Sequence, residues 1–231
     1  MKKTALFFAI SSIVSTPLFA QDSINPYADE KTGFYLGLGA GAASYDDAYA
    51  NEKDVYDEHS IPSTVNGYKS LKYTKRDGLV KIFGGYRINK YFALEANYTK
   101  FADTESDLDI NWLNIGRNTR SVDNEISGYG LKAVGIYPVS KNIELNASFG
   151  LMKWQIEEDI TETDTIFGTT HTSEKVKGTS KVFGLGASYN LTNNVAFGLD
   201  WERINDLGDK DKLAFGETDV DTFTLSAKYT F

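Results

Sequence analysis

The sequence predicts an all-β chain, an eight-stranded antiparallel transmembrane β-barrel of up-and-down topology. Three observations predict it. Apolar and polar residues alternate with a period of two over eight stretches, the connections between them alternate short and long, and an export signal at the start is matched by an aromatic residue, Phe231, at the end. Composition alone says less. The 231 residues are 41% hydrophobic and 24% charged, close to a soluble average. The 13% aromatic content, with 14 Tyr and 14 Phe, needs a structural explanation.

Lys2 and Lys3 precede the apolar run from Ala5 to Val14, and Ser15-Thr16-Pro17-Leu18-Phe19-Ala20 follows it. That is the charged, apolar and cleavage-region order of a secretory signal peptide. Residues 1–20 are expected to be removed after Ala20, which takes away two lysines and no acids and moves the formal charge from −8 to −10. The run is too short to span a bilayer, and no other stretch approaches the ~20 apolar residues a membrane helix needs. Residues 21–32 are then a periplasmic N-terminal segment, and 33–231 the barrel.

In 33–46 one face reads Phe34, Leu36, Leu38, Ala40, Ala42 and the other Tyr35, Gly37, Gly39, Gly41. In 217–231, Phe223, Leu225, Ala227, Tyr229 and Phe231 alternate with Thr222, Thr224, Ser226, Lys228 and Thr230. Such alternation marks a strand with one apolar and one polar face. The same pattern covers 78–89, 91–103, 122–138, 142–157, 176–190 and 194–206. Short turns fall at Asn89-Lys90, Val139-Ser140-Lys141 and Thr192-Asn193-Asn194, and long polar connections at about 47–77, 104–121, 158–175 and 207–216. All short turns therefore lie on one side and all long, extracellular loops on the other, the outer-membrane pattern. A soluble β-sandwich also alternates, but does not predict the export signal, the unequal connections and the terminal aromatic together.

Tyr86, Tyr137 and Tyr189 each end a descending strand, 51 and 52 residues apart, and each is followed eight residues later by Leu94, Leu145 or Phe197. With Trp201 and Tyr229 they form the expected aromatic girdle, since amphipathic rings are favoured at the membrane–water boundary. Charge is not tolerated at mid-depth on a lipid-facing surface, so the polar faces must line the interior. That places Lys81, Arg87, Lys132 and Lys228 inside with Glu95, Glu144, Asp200 and Glu202, beside Asn97, Asn146 and Ser148. An eight-stranded barrel is just wide enough for side chains to fill it. Balanced charges in so narrow a tube should pair, because an unpaired buried charge is costly. One reading is an ion-pair plug; the other is a gated path in which the pairs exchange partners. Gly37, Gly39, Gly41, Gly184 and Gly186 lie inside strands, where they thin the lining under bulky side chains and do not cradle a phosphate.

Several motifs carry a family resemblance. Phe83-Gly84-Gly85-Tyr86, Asn89 and Leu94-Glu95-Ala96-Asn97-Tyr98 resemble the second hairpin of the transmembrane domain of the OmpA family. Leu131-Lys132-Ala133, Tyr137-Pro138-Val139, Gly150 with Met152 and Trp154, Val182-Phe183 and the terminal Tyr229-Thr230-Phe231 extend it over most of 33–231. The resemblance implies an outer-membrane barrel, with Tyr229 and Phe231 as the signal read by the barrel-assembly machinery. It also implies an interior gate of Glu, Lys, Glu and Arg. Here the first Glu matches Glu95, the Lys position falls on Val134 with Lys132 one inward step away, the second Glu falls on Ser188, and the Arg falls on Gly198. The gate is therefore not carried over intact. Larger members continue into a periplasmic peptidoglycan-binding domain, and a chain ending at Phe231 is expected to be a small stand-alone member.

Zero cysteines exclude disulfides, thiolate metal sites, a cysteine nucleophile and a lipid-anchoring cysteine. A formal charge of −8 argues against a nucleic-acid partner. His59 and His171 are the only histidines, so a histidine-rich metal site is excluded too, and no cofactor, metal or catalytic residue is expected. His59 beside Ser60 and His171 near Ser173 could imitate the pair a lipid-modifying barrel enzyme needs, and Asp46-Asp47 with His59 a barrel protease, but both histidines read as solvated loop residues. The acidic loops (Asp46, Asp47, Glu52, Asp54, Asp57 and Glu58; Glu157, Glu158, Asp159, Glu162 and Asp164) read as solubility and mutual repulsion. The alternative is divalent-cation bridging to lipopolysaccharide phosphates, to which Asp107-Leu108-Asp109 could add without calcium-loop spacing. The expected protein is a non-enzymatic structural and surface barrel in the Gram-negative outer membrane, embedded in lipid and lipopolysaccharide, with loops available for adhesion or host contact. A narrow channel for ions or small solutes is the alternative, and a lipid-modifying enzyme a third.

Overall fold

A computed structural model describes residues 32–58, 66–112 and 116–231. The signal segment, residues 21–31, and His59 with Ser60 lie outside the described residues. In chain order the elements are β1 (Gly33–Tyr45), α1 (Ala50–Glu58), β2 (Gly67–Tyr73), β3 (Arg76–Asn89), β4 (Phe92–Phe101), β5 (Thr104–Trp112), β6 (Gly116–Pro138), β7 (Ile143–Asp164), β8 (Gly168–Asn190), β9 (Val195–Gly208) and β10 (Glu217–Thr230).

Eight strands close into a ring. β6, β4, β3, β1, β10, β9, β8 and β7 pair in that order, and β7 pairs back to β6. Every pairing is antiparallel, including the one that joins the two ends, where Leu36 faces Tyr229 and Leu38 faces Ala227. The remaining strands are continuations: β2 and β5 carry on from β3 and β4 after short breaks and pair with each other, and β5 also lies along β6. Closure leaves no unpaired edge in the membrane, as a strand-built span requires.

The alternation resolves into a lipid face and a lining. Phe34, Leu131 and Leu225 are 64–68% exposed, whereas Tyr35, Lys132 and Thr224 next to them are buried. Going outward along each strand, the first charged side chain or serine on the lipid-facing surface is Ser44, Arg76, Lys100, Ser127, Lys153, Lys181, Arg203 or Asp221. These eight positions mark the outer edge of the apolar belt. Tyr86, Tyr137, Tyr189 and Tyr229 are exposed at the opposite, short-turn end. Trp201 is not at their level. It sits one outward step below Arg203 on an ascending strand, and its indole Nε1–H donates to Asp221 at 3.2 Å. The Tyr98–Tyr129 ring pair, with centroids 4.9 Å apart, occupies the same outer boundary. The rings thus lie at two levels, one at each edge of the apolar belt.

Two of the stretches expected to be loops are mostly paired strand. Residues 104–121 are β5 and the start of β6, apart from 113–115, which lie outside the described residues. Residues 158–175 narrow to the turn Thr165-Ile166-Phe167, where the Asp164 carboxylate accepts the backbone N–H of Ile166 at 2.7 Å and of Phe167 at 3.0 Å. Both faces of this outer hairpin are wet, so threonine-rich polar residues continue the ladder without the apolar alternation that marks a half-buried strand. The 47–77 connection contains α1 and β2.

If this is the lipid face, Leu225→Arg should destabilise the refolded barrel by about 2–4 kcal/mol. Ser173→Arg in the outer hairpin should change stability by less than about 0.5 kcal/mol. Urea unfolding in lipid vesicles measures both.

Candidate functional site in the barrel interior

The lining divides into a polar inner half and an apolar outer half. In the inner half, Glu95 and Lys132 face each other across β4 and β6, and their side chains pair at 3.0 Å. Lys132 also pairs with Glu202, which Lys81 contacts from β3. Two ammonium groups thus share one carboxylate, and the second carboxylate balances them; Tyr35 donates its hydroxyl to Glu95 at 3.0 Å. Nearer the short turns, Arg87 Nη1 spans both oxygens of Glu144 at 3.0 and 3.2 Å, and its Nη2 donates to the Lys90 carbonyl at 2.8 Å.

Six of the eight interior charges therefore form two ion-paired groups. Asp200 and Lys228 do not join them. Asp200 accepts from the Asn146 amide at 3.2 Å, and Lys228 lies 5.2 Å from the Tyr35 ring centroid. These groups border a cavity of about 90 Å³, whose lining reaches Asn193 and Asn194 in the β8–β9 turn. The glycine reading is visible at Gly37, where an added Cβ would come within 2.3 Å of the Phe83 ring.

Of the positions that the family resemblance mapped onto Glu95, Val134, Ser188 and Gly198, only Glu95 carries a charge, and the ion pairs are made with other residues. Glu95 pairs with Lys132, one step from Val134, and Glu202 pairs with Lys132 and Lys81. Removing a shared anion leaves buried cations uncompensated.

The outer half holds what the sequence reading missed. Two inward-folded segments, 46–58 and 209–216, seal the mouth. Tyr49, Leu213 and Phe215 are buried there against Tyr45, Phe101, Ile126, Trp154, Ile156 and Leu207 from the wall. The Tyr49 and Phe215 rings meet edge to face with centroids 5.5 Å apart. Tyr49 has φ 61°, a conformation a bulky residue keeps only when its surroundings fix it. They do: its N–H donates to the Phe215 carbonyl at 2.8 Å, its hydroxyl donates to Thr104 at 3.0 Å and accepts from the Asn124 amide at 3.1 Å.

Two buried carboxylates tie this plug to the wall. Glu158 on β7 accepts the N–H groups of Ala214 and Phe215, each at 2.9 Å. Glu52 on α1 accepts from Arg120 on β6 at 2.8 Å. Burial pushes both carboxyls above the ordinary glutamate range, opposed by Arg120 at Glu52 and by the two backbone donors at Glu158. The signal in the sequence was the apolar triplet Leu213-Ala214-Phe215 inside an otherwise polar connection.

His171 is exposed on β8 and contacts only the Thr161 hydroxyl, at 3.0 Å, among the described residues. Asp46 is engaged with Arg203 at 2.7 Å, together with Asp219 at 3.0 Å and Asp221 at 2.8 Å. Asp107 accepts from Ser121 and Asp109 from Arg117. These acids are held by protein donors, and no cluster able to hold a metal ion occurs among the described residues.

A family model for the outer membrane protein β-barrel domain matches residues 6–231. Outer membrane protein A of Escherichia coli O157:H7 is 23% identical over 235 aligned positions, covering 100% of this chain and 55% of that protein. The Serratia marcescens protein of the same name is 24% identical, with 100% and 56% covered. The chain thus spans about half the length of the curated relatives it matches. Among solved structures, Neisserial surface protein A superposes with a TM-score of 0.51 at 13% identity, over 88% of this chain and 99% of that one.

Two outcomes follow from this geometry. Glu202→Ala should cost about 3–5 kcal/mol, because Lys81 loses its carboxylate and Lys132 keeps only Glu95. For Glu52, a folded-state pKa above the unfolded value means its contribution is fully present below the unfolded pKa and is lost as pH rises through the folded one. Wild type should therefore gain stability relative to Glu52→Gln as the pH is lowered from neutral toward the ordinary glutamate range. Thermal melts of both proteins across that range check it, and parallel curves would show that the site does not titrate with folding.

Proposed function

The chain belongs to the outer-membrane β-barrel family, and from that premise we propose that it is a closed structural and surface barrel. It contributes to envelope integrity, and its outer hairpins supply the contact surface. The observation that carries this reading is the apolar plug: a conducting path would have to cross a layer built from Tyr49, Phe101, Ile126, Trp154 and Phe215, all with at most 4% of their surface exposed. Below it, six interior charges are spent on one another, as expected of groups whose role is to fill a narrow tube.

The surface part of the reading rests on the outer strands. β7 and β8 carry the turn at Ile166 and Phe167 well beyond the belt, and those two side chains are 69% and 89% exposed. Two apolar groups on a fixed turn suit adhesion or host contact. Tyr229 and Phe231 are exposed at the end of β10, their centroids 5.1 Å apart, a form suited to recognition by the assembly machinery. No enzymatic role is proposed, since His171 has a threonine for its partner. The second reading, a narrow channel, draws on the polar cavity and on Asp200 and Lys228, whose charges are not ion-paired; it requires the plug to leave.

Planar-bilayer recording of the refolded chain separates the two. Wild type should be silent, and Tyr49→Ala/Phe215→Ala should give discrete openings. Reproducible wild-type openings that change in Lys132→Ala would establish the channel instead.

A further inference from the structure

We infer that the inner half of the barrel is a dead-end binding site for a small zwitterion, whose carboxylate is received by Lys228 and Asn190 and whose ammonium group is received by Asp200 and Thr224. The inference goes beyond the closed structural barrel, which stands without a ligand.

Register builds the site. Across β8, β9 and β10 the inward residues form rows, and the row nearest the short turns is Asn190, Ala196 and Lys228. The next row outward is Ser188, Gly198 and Ser226, and the third is Gly186, Asp200 and Thr224. Donors therefore stand in the first row and acceptors in the third, with a floor of small residues between them. The floor has to be small. A Cβ at Gly198 would lie 2.6 Å from Ser226 Oγ and 3.3 Å from Asp200 Oδ2, and one at Gly186 would lie 2.1 Å from Asp200 Oδ1.

Three observations point to a ligand. The ion-paired groups are each neutral, Lys81 and Lys132 with Glu95 and Glu202, and Arg87 with Glu144, so one cation, Lys228, and one anion, Asp200, are left over. They do not pair with each other, because four residues of strand, about 13–14 Å, separate their rows, and Lys228 lies over the Tyr35 ring. Asp200 bonds Asn146 through Oδ1 alone, which leaves Oδ2 without a donor among the described residues. Finally, Asn190 Nδ2 and Thr224 Oγ1 have no partner there either, in residues only 8% and 2% exposed. Buried polar atoms without partners are costly. These two adjoin the two unpaired charges, an amide donor in the row of Lys228 and a hydroxyl oxygen in the row of Asp200, and all four residues line the cavity.

The cavity sets the size and the route. Its 90 Å³ hold on the order of six to nine water-sized groups, room for a molecule the size of alanine. The lining reaches the β8–β9 turn, and the apolar plug blocks the other end, so a solute enters and leaves by one side. A simple anion would leave Asp200 unmet, and a simple cation would leave Lys228 unmet. A molecule that carries both charges makes a charge-assisted hydrogen bond at each end.

Chemical-shift titration of the refolded, isotope-labelled full chain in micelles tests this, with L-alanine as the probe. Saturable shifts are expected at the amides of Ser188, Gly198 and Ser226. Propionate and ethylamine, which each keep one of the two charges, should bind wild type about tenfold or more weakly than alanine. Asp200→Asn and Lys228→Gln should each weaken alanine binding about tenfold or more, and Lys153→Gln, on the outward face, should leave it unchanged. Heat-dependent gel mobility verifies folding, and should a variant not fold, the comparison of the three probes on wild type decides alone. Absence of saturable shifts, equal affinity for alanine and for either single-charge probe, or unchanged binding in folded Asp200→Asn or Lys228→Gln would overturn the proposal. A folded barrel that is silent in planar bilayers and does not bind alanine would overturn this inference alone and leave the closed-barrel reading intact.

Discussion

The structure depends on one constraint: a strand that crosses hydrocarbon must have every backbone N–H and C=O paired, and no water is there to help. The only sheet that meets this is one without edges. β6 to β7 and β1 to β10 are therefore as necessary as the hairpins, although the latter pairing joins residues nearly 200 positions apart in the chain. Once the ring closes, the two faces of every strand have opposite solvents. Leucine, phenylalanine and alanine must face out, and whatever is charged must face in. The interior chemistry is thus a consequence of closure before it is anything functional.

A tube of eight strands then has to be filled, and the two halves are filled by different means. Toward the short turns the filling is electrostatic, with Lys81, Lys132, Glu95 and Glu202 in one group and Arg87 with Glu144 in another. Such pairs hold geometry more than they add net stability, since desolvation offsets much of their attraction. Toward the long connections the filling is hydrophobic, from segments that fold back into the mouth. Glu52 and Glu158 lie at the join, where carboxylates of the plug and of the wall accept donors from the other side. Apart from Arg120 and Glu158, which hold the plug, the outer strands of β6, β7 and β8 are largely polar on both faces.

How much of this was legible follows from the period. Where one face meets lipid and the other a packed interior, alternation is strict, and the eight membrane strands and their inward charges could be read directly. Where both faces are wet, as in Thr169 to Thr172, nothing alternates, and paired strand looked like loop. The plug is hard to read for a different reason: Tyr49 and Phe215 sit in irregular segments with no period to betray burial, and only the short triplet Leu213-Ala214-Phe215 signals it. Partner choice was also hidden. Glu95 opposite Lys132 follows from hairpin register, but Lys81 with Glu202 depends on β3 and β9 meeting across the lumen, which only the closed ring determines. Three of the positions taken from the family resemblance fall on the uncharged Val134, Ser188 and Gly198, and the paired charges sit at Lys81, Lys132 and Glu202 instead.

The polar cavity, whose lining includes Asn193 and Asn194 of the short-turn side, should be accessible from that side and shielded by the apolar plug from the other. The chain contains no cysteine, so a single Ser226→Cys, in the cavity lining, gives an unambiguous reporter. In oriented proteoliposomes a small membrane-impermeant thiol reagent should modify Cys at that position from the short-turn side and leave it untouched from the outer side, while Ser173→Cys reacts from the outer side. Modification of the Ser226→Cys protein from the outer side, at a rate like that of the Ser173→Cys control, would contradict the sealed mouth.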